Sequence, residues 1–298
     1  MQVAEITTKD GFRVRTGCWP ARGEARADCL IFPGRSEFLE KYDPLARAFA
    51  ETGLRVCAVD WRGQGLSQRF DVPATAGHVE DFDQYGLDMD AAAGHWLSHA
   101  DRPLLVFAHS MGAPVALRWL ATRRRRPAAI VLSSPMFRLH AMRRAGPIVR
   151  RVARRAVRRG RGADFASRDF RGWDPRREAF AGNPLTGDAE RFRVKPDFFD
   201  RHPAAAVGGP TWGWIDAAFR GVQALKPRDL TSIDCPVLVA LAGDDRLVVN
   251  RATLRAIRHL PDVRLARFEG ARHELHMERD AIRTPYLERV LGFFRAAV

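Results

Sequence analysis

Along the chain, short runs of consecutive apolar residues alternate with longer stretches in which apolar positions recur every three or four residues. The runs "CLIF" (29–32), "LRVCAVD" (54–60), "PLLVFA" (103–108), "AAIVLSS" (128–134) and "PVLVALA" (236–242) read as buried strands, and "VRLARF" (263–268) is a weaker sixth. They lack strict polar alternation, as expected of strands covered on both faces. Helical spacing marks "DPLARAFAETG" (43–53), "FDQYGLDMDAAAGHWLSHA" (82–100), "MGAPVALRWLATR" (111–123) and "DAIRTPYLERVLGFFRAAV" (280–298). Strands alternating with helices predict an α/β fold with a largely parallel sheet. The alternation stops between "LSSPM" (132–136) and "IDCPVLVALAG" (233–243), where helical pieces, glycines and prolines intervene without a strong strand. This predicts a body made of residues 1–135 and 233–298, with residues 136–232 inserted as a helical cap.

The N-terminal stretch reads as a hairpin turning at Asp10-Gly11, without the apolar core of a signal peptide. No apolar run approaches the ~20 residues of a membrane span. A cytoplasmic location is therefore expected. Of the 298 residues, 46% are hydrophobic and 28% charged, as in a globular protein with a large core. Four cysteines (Cys18, Cys29, Cys57, Cys235) are widely spread with no CxxC pair, so neither a disulfide framework nor a zinc site is expected.

Charge changes the picture more. The net charge is +14, and residues 138–161 carry ten arginines and no acid, while Arg123, Arg124, Arg125 and Arg126 add four more. The basicity is thus local. On a helical wheel of "IVRRVARRAVRR" (148–159), Arg150, Arg151, Arg154, Arg155, Arg158 and Arg159 fall on one half. Val149, Val152, Ala153, Ala156 and Val157 fall on the other. Such a helix suits peripheral contact with an anionic bilayer, here the inner face of the membrane. It equally suits a cap helix that packs its apolar side and shows arginine to water. The stripe lacks aromatic interleaving or a reader motif, so nucleic acid is not the expected partner.

Candidate chemistry starts at "LLVFAHSMGAPVAL" (104–117), a strand that breaks at Ser110 and restarts as a helix. The turn lifts the hydroxyl above the sheet edge, in front of a helix N-terminus. Gly112 supplies one of the usual small neighbours; Ala108 stands where glycine is usual. Downstream, "LAGDDRLV" (241–248) puts Asp244 and Asp245 beyond a strand end, and "FEGARHELHME" (268–278) offers His273 and His276 beyond the next. Nucleophile, acid and then histidine, each past a strand end, is the order used for nucleophilic acyl transfer on an α/β sheet.

The segments "FPGRSEFLEKY" (32–42), "VDWRGQGLSQR" (59–69), "GHVEDFDQY" (77–85), "AHSMG" (108–112), "GDDRLV" (243–248) and "HELHME" (273–278), in this order, resemble the monoacylglycerol lipase and lysophospholipase group. "PGRSEFLEKY" and "NPLTGDAERF…GGPTWGWI" (183–215) are most similar to its bacterial lysophospholipase L2 members. The resemblance implies an α/β-hydrolase fold, with a mostly parallel eight-stranded sheet flanked by helices. It implies Ser110 as nucleophile, Asp245 as acid and His273 as base, with Asp244 and His276 as second choices. The backbone N–H groups of Met111 and Arg35 would form the oxyanion hole. Pro33-Gly34 replaces the group's usual His-Gly, which removes a buttressing side chain. Arg62 is expected in a structural ion pair, and His78 in a structural role. Trp212, Trp214 and Phe219 are candidates for lining an acyl or headgroup channel.

The implied reaction is hydrolysis of a lysophospholipid or monoacylglycerol through an acyl-enzyme, requiring no metal and no organic cofactor. An esterase or thioesterase for small acyl substrates, or a non-catalytic lipid- or partner-binding protein, are the alternatives. A haloalkane dehalogenase or epoxide hydrolase would need a carboxylate at position 110.

Overall fold

Eight strands form one sheet in the order β1-β2-β4-β3-β5-β6-β7-β8. The computed structural model describes residues 1–97, 102–123, 126–142 and 145–298. The end of the 82–100 helical pattern lies outside the described residues, as do Arg124, Arg125, Arg143 and Arg144. The strands are β1 (Gln2–Thr7), β2 (Arg13–Trp19), β3 (Ala27–Phe32), β4 (Leu54–Val59), β5 (Leu104–His109), β6 (Ala129–Ser133), β7 (Val237–Ala242) and β8 (Val263–Phe268). The β1–β2 hairpin runs antiparallel and joins the sheet through β2–β4, and every later pairing is parallel.

Successive side chains of the central strands go to opposite faces. On one face Val106 and Ala108 of β5 pack among Phe32, Trp61, Met111 and Trp119. On the other, Leu105 and Phe107 pack with Phe49, Tyr286 and Phe294. Helices α1 (Leu39–Ala50), α2 (Asp83–Trp96) and α3 (Gly112–Arg123) cover these faces together with the C-terminal helix that carries Tyr286 and Phe294. The edge strand β8 is largely exposed and carries Arg264 and Arg267, which explains its weak apolar signal and discourages pairing with another edge.

Helix α1 starts four residues before the stretch read from the sequence. The apolar spacing of "DPLARAFAETG" places the start at position 43, but Leu39 and Tyr42 are buried, and the Leu39 amide donates to Asp60 Oδ1 (2.8 Å). Packing thus carries the helix upstream past its proline.

Between β6 and β7 the described residues form four helices, α4 (Gly146–Arg158), α5 (Ala189–Arg201), α6 (Trp212–Ala224) and α7 (Pro227–Thr231), and no strand. Residues 77 and 210 pair in a short bridge that ties this insertion to the loop before α2. The chain then completes the sheet, with α8 (Asn250–Ile257) before β8 and α9 (Asp280–Arg295) after it.

Helix α4 departs from the wheel in one respect. Val149, Ala153 and Ala156 turn inward, but Val152 and Val157 are exposed and Ile148 is 69% exposed. Its inward face is therefore narrower than the apolar half of the wheel. The four cysteines are buried free thiols, with Cys18 and Cys57 facing each other across β2–β4, sulfur to sulfur 3.4 Å. No helix among the described residues is long and apolar enough to cross a membrane.

Candidate active site

Ser110 sits on the turn between β5 and α3 with a left-handed φ of 50°, a conformation that costs a non-glycine residue and persists only where its surroundings hold it. Its amide donates to the Ser133 carbonyl (3.0 Å), and its own carbonyl accepts from the amides of Met136 and Ala113 (3.0 and 3.1 Å). The close passage that asks for small residues is at Gly112. A methyl there would lie 2.1 Å from the Phe32 carbonyl oxygen and 2.6 Å from that of Pro33. Ala108 is fully buried in the sheet core, so the extra methyl at that position is accommodated.

Loops after β7 and β8 bring Asp245 and His273 to the same place. His273 Nε2 lies 2.9 Å from Ser110 Oγ, and His273 Nδ1 lies 2.8 Å from Asp245 Oδ2. The other Asp245 oxygen accepts the amides of Leu247 and Val248 (2.8 and 2.9 Å). Burial pushes the Asp245 carboxyl up, but His273 and the two amides outweigh it and hold the group below its usual range. Asp244 points to solvent, and His276 is buried with both ring nitrogens unpartnered among the described residues. Burial, reinforced by His109, keeps His276 neutral by driving its pKa well down. Neither second-choice residue enters the chain of hydrogen bonds at Ser110.

The loop that the resemblance makes the oxyanion loop follows β3. Among the described residues the Met111 and Arg35 amides have no hydrogen-bond acceptor. The buttress missing from Pro33-Gly34 is replaced by other groups. Trp61 Nε1 donates to the Pro33 carbonyl (3.0 Å), and the Gly34 amide donates to the Glu37 carboxylate and to Tyr42 Oη. Ser36, with φ of 63°, donates its hydroxyl to the Val207 carbonyl and its amide to Gln64 Oε1.

Behind this loop is a buried ion cluster that local sequence reading missed. Lys41 Nζ bonds Glu37 Oε1 (2.9 Å) and Glu274 Oε1 (2.6 Å), with all three side chains almost fully buried. Glu37 grips the oxyanion loop and Glu274 follows His273 directly, so Lys41 fixes the two loops to each other. Burial pushes Glu37 up and Lys41 down; their mutual attraction, with Glu274 and the Tyr42 hydroxyl, reverses both shifts. Glu37, His109 and Glu274 each offer one ligand atom within 4.8 Å of the others. The Lys41 ammonium already bonds both carboxylates there.

The "NPLTG" segment reaches over from the insertion and straps the histidine loop. The His273 and Glu274 amides donate to the carbonyls of Pro184 and Leu185, and Thr186 Oγ1 donates to that of Met277 (2.7 Å). Arg62 is paired with Asp88 and Asp10 as expected of a structural residue, and His78 Nδ1 lies 2.8 Å from Thr211 Oγ1.

A cavity of about 460 Å³ opens between the insertion and the body, lined mainly by apolar residues including Met136, Phe137, Leu139, Trp214, Phe219 and Leu230. Met136, whose amide bonds the Ser110 carbonyl, is one of its lining residues, whereas Ser110, Asp245 and His273 are not. Trp214 and Phe219 line it; Trp212 does not. Trp212 opens α6, about 10 Å along the helix axis from Phe219. The six arginines of the basic stripe lie on α4 or, for Arg159, just past its end, and none forms an ion pair among the described residues. Arg150, Arg151, Arg154, Arg155 and Arg158 line a shallow surface groove with Pro147.

A family model described as "Serine aminopeptidase, S33" matches residues 23–280. Lysophospholipase L2 of Escherichia coli is 32% identical, over 98% of this chain and 86% of its own length. A monoacylglycerol lipase of Mycolicibacterium smegmatis is 24% identical, over 90% of this chain and 88% of its own. Among solved structures, a monoglyceride lipase from Saccharomyces cerevisiae with a bound substrate analog superposes with a TM-score of 0.75 at 18% identity, covering 100% of this chain and 97% of that one. A serine held against histidine and aspartate at the ends of parallel strands, a family match over residues 23–280 and relatives of this kind lead to one assignment. The chain belongs to the serine aminopeptidase S33 family and is an α/β-hydrolase-fold serine hydrolase of the lysophospholipase and monoacylglycerol lipase group.

Proposed function

We propose that the protein hydrolyses the ester of a single-chain lipid, a lysophospholipid or monoacylglycerol, through an acyl-enzyme on Ser110. The observation that carries this reading is the unbroken hydrogen-bonded chain from Ser110 Oγ through His273 to Asp245. In the first step His273 Nε2 takes the Ser110 proton as Oγ attacks the ester carbonyl, and Asp245 steadies the imidazolium through Nδ1–H. The Met111 and Arg35 amides receive the oxyanion, which lowers the barrier by about 3 kcal/mol per donor. Collapse expels the glycerol-side alcohol with the proton from His273. Water then attacks the acyl-enzyme by the same route and releases the fatty acid. The apolar cavity lined by Met136 supports an acyl chain there, with Trp214 and Phe219 in its wall.

Residues 136–232 serve in this reading as the cap over a body of residues 1–135 and 233–298. The arginine-rich α4 on that cap, with Ile148 exposed among its charges, would rest on an anionic lipid surface and bring the cap to its substrate.

Intact mass after treatment with a fluorophosphonate tests the chemistry. Wild type gains one adduct, Ser110→Ala gains none, and His273→Ala labels at least a hundredfold more slowly. A folded wild type that stays unlabelled, with or without anionic vesicles, would favour the non-catalytic binding alternative.

A further inference from the structure

Two guanidinium groups lie at the junction between the oxyanion loop and the insertion without a carboxylate bonded to either. Arg35 is the residue that the resemblance makes an oxyanion donor. Its side chain runs under the insertion, where Nη2 donates to the Gly208 carbonyl (2.5 Å) and Cζ stands 5.1 Å from the centroid of the Trp214 ring. Arg69 reaches the same junction from the loop after β4 and donates through Nη2 to the carbonyls of Ala74 and Ala76 (2.9 and 3.5 Å). The segments supplying these carbonyls pair with each other: the Gly208 amide donates to the Thr75 carbonyl, and the Gly77 amide to that of Gly209. Both cations are thus tied to one two-stranded contact.

Neither group is satisfied there. Arg35 Nε and Arg69 Nη1 are buried N–H groups without a hydrogen-bond acceptor among the described residues. Buried, unmet donors on a charged group are costly, more so when a second cation is close. Burial and the neighbouring Arg69 charge draw Arg35 down to about 10, and burial draws Arg69 to a similar value, so both stay protonated at neutral pH. Glu178 is the carboxylate that acts on Arg35, and it is already paired with Lys195 at 3.3 Å. Both arginines retain some solvent-accessible surface. Each guanidinium thus keeps its charge and a donor that no described protein group meets.

We propose that Arg35 and Arg69 bind the phosphodiester of a lysophospholipid headgroup and so favour lysophospholipid over monoacylglycerol at this site. The inference rests on the ester-hydrolase reading above and names its substrate class. Trp214 lies between the two halves of such a molecule, lining the apolar cavity and standing against Arg35. The dimensions agree as well. An ester carbonyl carbon and the phosphorus of a lysophospholipid are six bonds apart, at most about 8 Å, and an arginine side chain carries its guanidinium about 6 Å from its own Cα. An oxyanion donor and a phosphate ligand are therefore within reach of one residue. The planar fork of each guanidinium matches a phosphate's oxygens.

The test uses the full-length protein, 1-oleoyl-lysophosphatidylethanolamine and 1-oleoylglycerol, in the same neutral detergent micelles. Expected for both Arg35→Met and Arg69→Met is a fall of tenfold or more in the ratio of kcat/KM for phospholipid over neutral lipid, carried by KM. Arg69→Lys, which keeps the charge, recovers part of it. In parallel, sn-glycero-3-phosphoethanolamine competes with a small neutral ester on wild type and loses at least tenfold in potency on Arg69→Met. Should Arg35→Met fail to fold by circular dichroism, Arg69→Met and its lysine rescue still decide the matter. An unchanged ratio in folded variants overturns the proposal. So does competition by inorganic phosphate with the glycerophosphodiester inert, which would make this a free-phosphate site. Competition that is lost in Arg69→Met while neither lipid is hydrolysed would leave the anion site standing and remove the lipid-hydrolase reading instead.

Discussion

Lys41 is 2% exposed between two carboxylates, those of Glu37 and of Glu274, the latter 233 positions further along the chain than the lysine. Taking away the ammonium while leaving Glu37 and Glu274 in place strands two buried negative charges. Lys41→Met should therefore lose about 3–5 kcal/mol of unfolding free energy, read by urea titration at pH 7. The pH dependence follows from the signs. Glu37 is held below its unfolded value, so its contribution is present above about pH 4.3 and fades as the pH falls through the folded value. Lys41 is held above its unfolded value, so its contribution is full below about pH 10.4 and fades only at still higher pH. The difference between wild type and Lys41→Met should thus be flat from about pH 5 to 10 and shrink at pH 3 to 4. A gap that persists undiminished in acid would mean that Glu37 is not the partner that matters.

At the level of elements, the start of α3 touches the oxyanion loop at Gly112, where an added methyl meets two carbonyl oxygens of residues 32 and 33. Gly112→Ala forces the loop outward, so it should cost about 1–3 kcal/mol of stability. It should also slow fluorophosphonate labelling at least tenfold. Melting curves and labelling rates on the same preparation check both. The strands and most helices were legible because each is written in local apolar spacing, and β5, β6 and β7 lie within a residue or two of the runs that announced them. Ser110 was legible for the same reason, as a polar break between a strand and a helix. Choosing Asp245 over Asp244 and His273 over His276 needed the resemblance, because local spacing does not say which of two neighbours a distant serine will meet. Lys41 was hidden by its context: beside Glu37 it looks like an ordinary i,i+4 surface pair, and only the flanking Phe38, Leu39 and Tyr42 hint that this face is inward. The inward limit of α4 was likewise unreadable, since the wheel shows which residues share a face but not how much of it a neighbour covers.

Across the whole molecule, charge is distributed as unevenly as the fold is regular. Arginines such as Arg15, Arg55, Arg62 and Arg191 are matched by acids, whereas those along α4 face outward without ion-pair partners among the described residues. Each such arginine near an anionic bilayer contributes about 1 kcal/mol. Replacing Arg151, Arg155 and Arg158 with glutamine should weaken sedimentation with phosphatidylglycerol vesicles about a hundredfold. Wild-type binding should fall steeply as salt rises and the Debye length shrinks from about 10 Å at 0.1 M towards 3 Å at 1 M. Equal binding to purely zwitterionic vesicles would refute the electrostatic account and return α4 to a merely hydrated helix.

The insertion leaves the sheet after β6 and returns at β7, and these two strands are hydrogen-bonded neighbours, with Ser133 opposite Ala240. Exit and entry are therefore adjacent doorways in one wall. A length of chain exchanged between them changes that segment without altering the register of any strand, because the pairing of β6 with β7 does not depend on what travels between them. Natural variation in what such a hydrolase accepts has, in this layout, a ready cassette: the sheet and the hydrogen-bonded Ser110, His273 and Asp245 can be inherited intact while the intervening segment is rewritten.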